Sequence, residues 1–167
     1  MPLSFLPRHI YSALTAIDLR ALHDAGVRLL MLDFDNTIVP YTTNDPTDEM
    51  GRWLDAAGES EVQICVVSNS KRGRVVDFCR ARGIDCITHA KKPFSRGIRE
   101  CLRRYAVEPG SAALVGDQIY TDVLGANCTG VRSILIPAIH NHNIWLKLRH
   151  VAELPFIWLA GNRREGE

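Results

Sequence analysis

The residues best suited to chemistry stand in four short stretches: Asp33 and Asp35 in "LLMLDFDNTIVP", Ser68, Asn69 and Ser70 in "VVSNS", Lys91 and Lys92 in "KKP", and Asp117 and Asp122 in "GDQIYTD". In the first, an apolar run ends abruptly in two carboxylates separated by Phe34. On extended backbone, residues two apart project to the same side, so both acids can face one crevice while Phe34 turns into packing. Uncompensated like charges this close raise each other's pKa, which calls for a cation or a division of roles. The hydroxyl and amide donors of Ser68 to Ser70 suit an oxyanion. Oxygen-only acids in this number suit a hard cation such as magnesium, which bridges to substrate phosphate. Phosphoryl transfer needs that neutralisation and a nucleophile in line with the leaving oxygen. A carboxylate nucleophile divides hydrolysis into two steps through an aspartyl-phosphate, while a second carboxyl protonates the leaving oxygen and then deprotonates water.

The elements that must position these groups are readable as alternating patterns. Five apolar runs, "VRLLMLDF", "VQICVVS", "IDCIT", "AALVG" and "RSILIP", predict strands covered on both faces. Between them lie helical stretches. "TAIDLRALHDAG" opens with Thr15 and Asp18 at capping-box spacing and closes at Gly26. "NDPTDEMGRWLDAAG" places Asp45 as N-cap and Pro46 at the first helical position, with two further acids at the positive end of the helix dipole. "KRGRVVDFCRARG", "PFSRGIRECLRRYA", starting at Pro93, and "YTDVLGANCTG" follow. Strand and helix in alternation predict an α/β fold: a doubly wound, three-layer, Rossmann-like parallel sheet of about five strands. In such sheets ligands bind beyond the carboxyl ends of the strands, where each of the four stretches falls.

Composition limits the alternatives. The 167 residues suit one domain spanning 1–167, with residues 162–167 as a disordered tail. A net charge of +1 gives no global basic field to attract nucleic acid. Five cysteines without a C-x-x-C pair suit a reduced chain with buried thiols rather than a disulfide scaffold or zinc site. No apolar run reaches the roughly 18 residues that span a bilayer, and the first residues lack the pattern of a signal peptide. A cytoplasmic location is expected, with peripheral membrane contact open.

The ordered motifs resemble those of the haloacid dehalogenase superfamily of phosphohydrolases: "DFDNT", the serine of "VVSNS", the lysine of "KKP" and the acidic "GDQIYTD". The combination with "GDQIYTDVLGAN" and a preceding helix ending in "AGV" is similar to the capless YqeG-type branch of subfamily IIIA. That branch includes phosphatidylglycerophosphate phosphatases of mitochondria and plastids. Where the branch has "SNN", Ser70 stands here. The resemblance implies Asp33 as nucleophile and magnesium ligand, and Asp35 as acid/base whose backbone carbonyl also reaches the metal. It implies that Thr37 steadies the loop and assists substrate binding, that Ser68 and the Asn69 amide hold the phosphoryl oxygens, and that Lys92 offsets charge on nucleophile and phosphate. Asp117 completes the magnesium site and Asp122 is a secondary ligand. Dehalogenases lack the second aspartate, so Asp35 argues for phosphate chemistry. The connections between strand ends leave no room for a cap, so an open site is expected, with a large substrate or a neighbouring subunit to cover it. A phospholipid headgroup, a phosphoprotein and a soluble phosphate all fit, and a homo-oligomer is an open alternative.

Other features have plain readings. His140 and His142 in "HNHN" suit a polar loop capping the next helix better than a metal site. Lys71, Arg72 and Arg74 form either a solvated helix face or a surface for an anionic substrate. "NIWLKLRHVAELPFIWLAG" covers the sheet or docks at a lipid surface. A phospho-receiver domain uses similar residues but carries its phosphorylated aspartate after the third strand, where "IDCIT" has none. A catalytically silent binding module is the remaining rival.

Overall fold

The computed structural model describes residues 4–43, 45–70 and 73–139. Six strands, β1 (His9–Ile10), β2 (Leu29–Leu32), β3 (Gln63–Val67), β4 (Asp85–Ile87), β5 (Ala112–Gly116) and β6 (Arg132–Leu135), form one sheet in the order β1-β6-β5-β2-β3-β4. Every pairing is parallel. The expected doubly wound α/β sheet is therefore present, with one strand more than the five apolar runs indicated. That strand, β1, carries no apolar run and is defined by its pairing with β6 alone.

Successive side chains of a strand point to opposite faces, and the central strand β2 divides accordingly. Leu30 and Leu32 join a core with α1 (Leu19–Asp24), α2 (Asp48–Gly58) and α3 (Gly73–Ala81), through residues such as Leu22, Leu54 and Phe78. Leu29 and Met31 join a second core with α4 (Arg96–Tyr105) and α5 (Leu124–Thr129), through Ile98, Leu102 and Ala126. Cover on both faces explains why the strands read as continuous apolar runs. All five cysteines are free thiols.

Helix starts depart from expectation at three places. Asp18 caps α1 by accepting from the backbone N–H groups of Arg20 and Ala21, whereas Leu14–Ala16 form a separate 3₁₀ turn. Thr47, not Asp45, caps α2: its hydroxyl accepts from the Met50 N–H, and Asp48 and Glu49 occupy the first turn as the helix dipole favours. Pro93 precedes α4, which starts at Arg96. Gly26 and Gly130, just past α1 and α5, have φ of +88° and +80°, left-handed geometry that glycine adopts without a Cβ penalty.

The chain order reverses direction beside β2: β3 and β4 extend the sheet to one side, β5 and β6 to the other. The crevice of such a sheet opens at the carboxyl ends of the strands flanking this switch point, here β2 and β5. Among the described residues no cap domain is inserted. The polar "HNHN" loop, the Trp-rich C-terminal segment and the tail lie outside the described residues, as do Lys71 and Arg72.

Candidate active site

Asp33 follows β2 directly, and its backbone N–H donates to the Val115 carbonyl at 2.9 Å, so the ladder to β5 continues one residue past the strand. This places Asp33 beside Asp117, the first residue after β5. Behind it the motif "DFDNTIV" folds back on itself. Asn36 N–H donates to Val39 at 2.7 Å, Ile38 N–H to Phe34 at 3.0 Å, and Asn36 takes a φ of +62°, which asparagine tolerates better than most residues. Phe34 turns away from the crevice, as expected, and meets the Phe78 ring edge-on at a centroid distance of 5.2 Å.

Carboxylate oxygens of Asp33, Asp117 and Asp122 lie within 4.8 Å of one another, and all three residues are buried. Asp122 reaches this cluster because a π-helical turn, Ile119–Val123, follows β5. The wide turn brings Gln118 N–H to the Asp122 carboxylate at 3.2 Å. It also lays that carboxylate against Gly116, where a Cβ would fall 2.3 Å from the carboxyl atoms. Only glycine admits this approach, so the "GD" pair shapes the cluster twice: Asp117 belongs to it directly and Asp122 enters it through the space at Gly116.

Lys92 closes the cluster. Its ammonium lies 2.6 Å from Asp33 Oδ1 and 2.7 Å from Asp122 Oδ1, and the residue is only 4% exposed, whereas Lys91 is exposed. Asn69 sets the lysine's position. Its side-chain amide donates to the Lys92 carbonyl at 2.9 Å, and its side-chain oxygen accepts from the Lys92 N–H at 2.7 Å. Ser68 is buried at the end of β3, its hydroxyl accepting from Ser70 N–H at 3.0 Å and its carbonyl from Ala90 N–H at 3.0 Å. The strand-end turn and the loop bearing Lys92 are thereby tied together.

The electrostatics follow from burial. Desolvation pushes the Asp33 carboxyl up to about 7; the Lys92 ammonium opposes this, while the Asp122 and Asp35 carboxylates add to it. Burial works against the Lys92 ammonium too, but the Asp122 and Asp33 carboxylates outweigh it and hold its pKa above the usual lysine range. With all three acids ionised, one ammonium leaves the cluster two negative charges in excess, in a setting where unpaired charge costs several kcal/mol. The hydroxyl of Thr37 and both polar side-chain atoms of Asn36 are also buried, with no hydrogen-bond partner among the described residues. Excess negative charge, oxygen-only donors and orphaned polar groups beside them fit a hard divalent cation with a bound oxyanion.

Two further side chains lie apart from the three acids. The Asp35 carboxylate stands outside the three-acid cluster and pairs with the Arg74 guanidinium, so any metal contact from this residue falls to its backbone, as the resemblance implied. Arg74 is neither a solvated helix residue nor an open anion site; its side chain is 13% exposed and committed to Asp35. The sequence reading missed Asn36, the hydrogen bonds of the Asn69 side chain to the Lys92 backbone, Gly116 and the pairing of Arg74. Only Gly116 had a local signal, its place before Asp117.

Residues 89–138 match a family profile described as HAD-hydrolase-like. The chain is 30% identical over 132 residues to the "Probable phosphatase YqeG" of Bacillus subtilis, covering 79% of this chain and 77% of that one. It is 30% identical over 78 residues to the glyceraldehyde 3-phosphate phosphatase of Pyrococcus furiosus, covering 47% of this chain and 28% of that one. Among solved structures, the cobalt-bound deoxy-D-mannose-octulosonate 8-phosphate phosphatase of Haemophilus influenzae superposes with a TM-score of 0.54 at 10% identity, covering 81% of this chain and 90% of that one. At that identity the likeness is one of fold.

Proposed function

Because this chain belongs to the haloacid dehalogenase-like hydrolases and is a phosphatase, we propose that it is a magnesium-dependent phosphomonoesterase working through an aspartyl-phosphate on Asp33. The observation that carries this reading is the convergence of Asp33, Asp117 and Asp122 at the carboxyl ends of β2 and β5, with the Lys92 ammonium against two of them. Asp33, Asp117 and Asp122, with the backbone of Asp35, would hold the cation. When bound, it neutralises charge on the phosphoryl oxygens.

The chain's own residues divide the remaining work. Lys92 fixes the Asp33 side chain and offsets its charge, and Asn69 fixes Lys92. The Ser68 hydroxyl and the Asn69 backbone N–H hold phosphoryl oxygens, with the Thr37 hydroxyl, unpartnered among the described residues, beside them. An Asp33 oxygen attacks phosphorus as the bond to the leaving oxygen breaks, and Asp35 delivers a proton to that oxygen. Asp35, now a carboxylate, takes a proton from water. The water oxygen attacks the same phosphorus, the bond to Asp33 breaks, and inorganic phosphate leaves.

The substrate reading rests on the mouth. With no cap inserted among the described residues, a large or anionic phosphomonoester can reach the acids, and phosphatidylglycerophosphate is the candidate the branch resemblance favours. Asp33→Asn tests the mechanism: turnover of an aryl phosphate should vanish while the melting transition persists. Normal turnover in that variant would end this reading. A panel of lipid, sugar and protein phosphates, with and without anionic liposomes, assigns the substrate class.

A further inference from the structure

Arg74, in the first turn of α3, gathers three segments of chain at the rim of the crevice. One guanidinium nitrogen pairs with the Asp35 carboxylate, and another donates to the carbonyls of Thr43 at 2.9 Å and Tyr41 at 3.5 Å. The guanidinium carbon lies 5.2 Å from the centroid of the Phe34 ring. The planar fork of arginine can meet a carboxylate, carbonyls and a ring face at once, which a lysine cannot. Both side chains of the pair are mostly buried, 13% and 14% exposed, so the contact is more than a mobile surface pair. Its result is that the Asp35 carboxylate is held off the cluster of Asp33, Asp117 and Asp122, next to the strap of residues 41–43.

We propose that Arg74 is a positioning residue for proton transfer: it acts through Asp35, aiming that carboxyl at the leaving oxygen, and moors the 41–43 strap as the wall of the mouth where a cap would otherwise stand. The inference rests on the phosphatase reading above and adds a residue to it. The contacts of Arg74 described above fall on Asp35, on the 41–43 strap and on Phe34. Its loss should spare cation binding and strike the step in which the alcohol leaves.

The test compares two substrates through kcat/KM, which covers steps only as far as release of the alcohol. An alkyl phosphate needs its leaving oxygen protonated, whereas a nitrophenyl phosphate does not. General-acid help contributes roughly 10²–10⁴-fold. Arg74→Ala is therefore expected to lose on the order of 10- to 100-fold on the alkyl phosphate and under about threefold on the aryl phosphate, with Arg74→Lys in between. On the alkyl phosphate, Asp35→Asn and the double variant should be equally slow, because residues acting as one unit are non-additive. Calorimetry with manganese and a thermal melt establish that the variants fold and keep the cation. Equal losses on both substrates, no loss on either, or additive effects in the double variant would overturn the role. Undiminished turnover by Asp33→Asn would instead overturn the underlying mechanism.

Discussion

Replacing Lys92 with methionine keeps the side chain's bulk and deletes its charge. The wild-type ammonium lies 2.6 Å from Asp33 and 2.7 Å from Asp122. At an effective dielectric of ~20, each contact has a gross Coulomb energy of about 6 kcal/mol. Desolvation offsets most of that, but removing one partner of a buried pair leaves uncompensated charge and costs roughly 3–5 kcal/mol. For a chain of this size the loss corresponds to a fall in Tm of roughly 6–20 °C. The assay is thermal melting of wild type and Lys92→Met at pH 8 in EDTA, then in excess magnesium. The variant should melt well below the wild type in EDTA and gain more from magnesium, because its three acids then have only the cation to offset them; a cation at a hundred times its Kd contributes about 2.7 kcal/mol. At pH 5 the gap should narrow, since the Asp33 carboxyl, pushed up to about 7, is then neutral. A variant that melts with the wild type in EDTA at pH 8 would refute the claim that Lys92 compensates a buried acidic cluster.

Gly116→Ala should displace Asp122, because the added Cβ would sit 2.3 Å from its carboxyl; weakened magnesium binding by calorimetry checks this, and unchanged affinity would contradict it. Asn69→Ala removes two hydrogen bonds to the Lys92 backbone, for an expected loss of about 1–3 kcal/mol in stability and a drop in kcat, read by melting and steady-state kinetics. The pH dependence follows from Asp33. Its carboxyl rises from 3.8 to about 7 on folding, so between those values the folded chain holds a proton that the unfolded chain has released. Stability of the metal-free protein should therefore fall, through this group, as pH rises from about 4 to about 7; a flat or rising Tm across that window in EDTA would argue against the raised carboxyl.

Sheet and site were legible in the sequence to different depths. Strands buried on both faces read as apolar runs, so β2 to β6 were plain, whereas β1 is two residues whose only cue is a partner in β6. Asp33 and Asp117 were legible because each stands just past a strand, where parallel topology converges the ends, whereas Lys92 was singled out from Lys91 by the family motif alone. The cap of α2 was misplaced by two residues: Asp45 was read as N-cap from its place before Pro46, whereas the helix starts at Asp48 and the Thr47 hydroxyl caps it. The supporting contacts were not legible at all. Asn69 meets Lys92 across 23 residues and Arg74 meets Asp35 across 39, with no periodicity connecting either pair.

The most direct test of the central claim is a calorimetric titration of the metal-free protein with manganese, repeated on Asp117→Asn. One ion per chain in the wild type, with binding lost in the variant, is the outcome that convergence of the acids after β2 and β5 on a single cation predicts. Equal stoichiometry and affinity in the two proteins would contradict it.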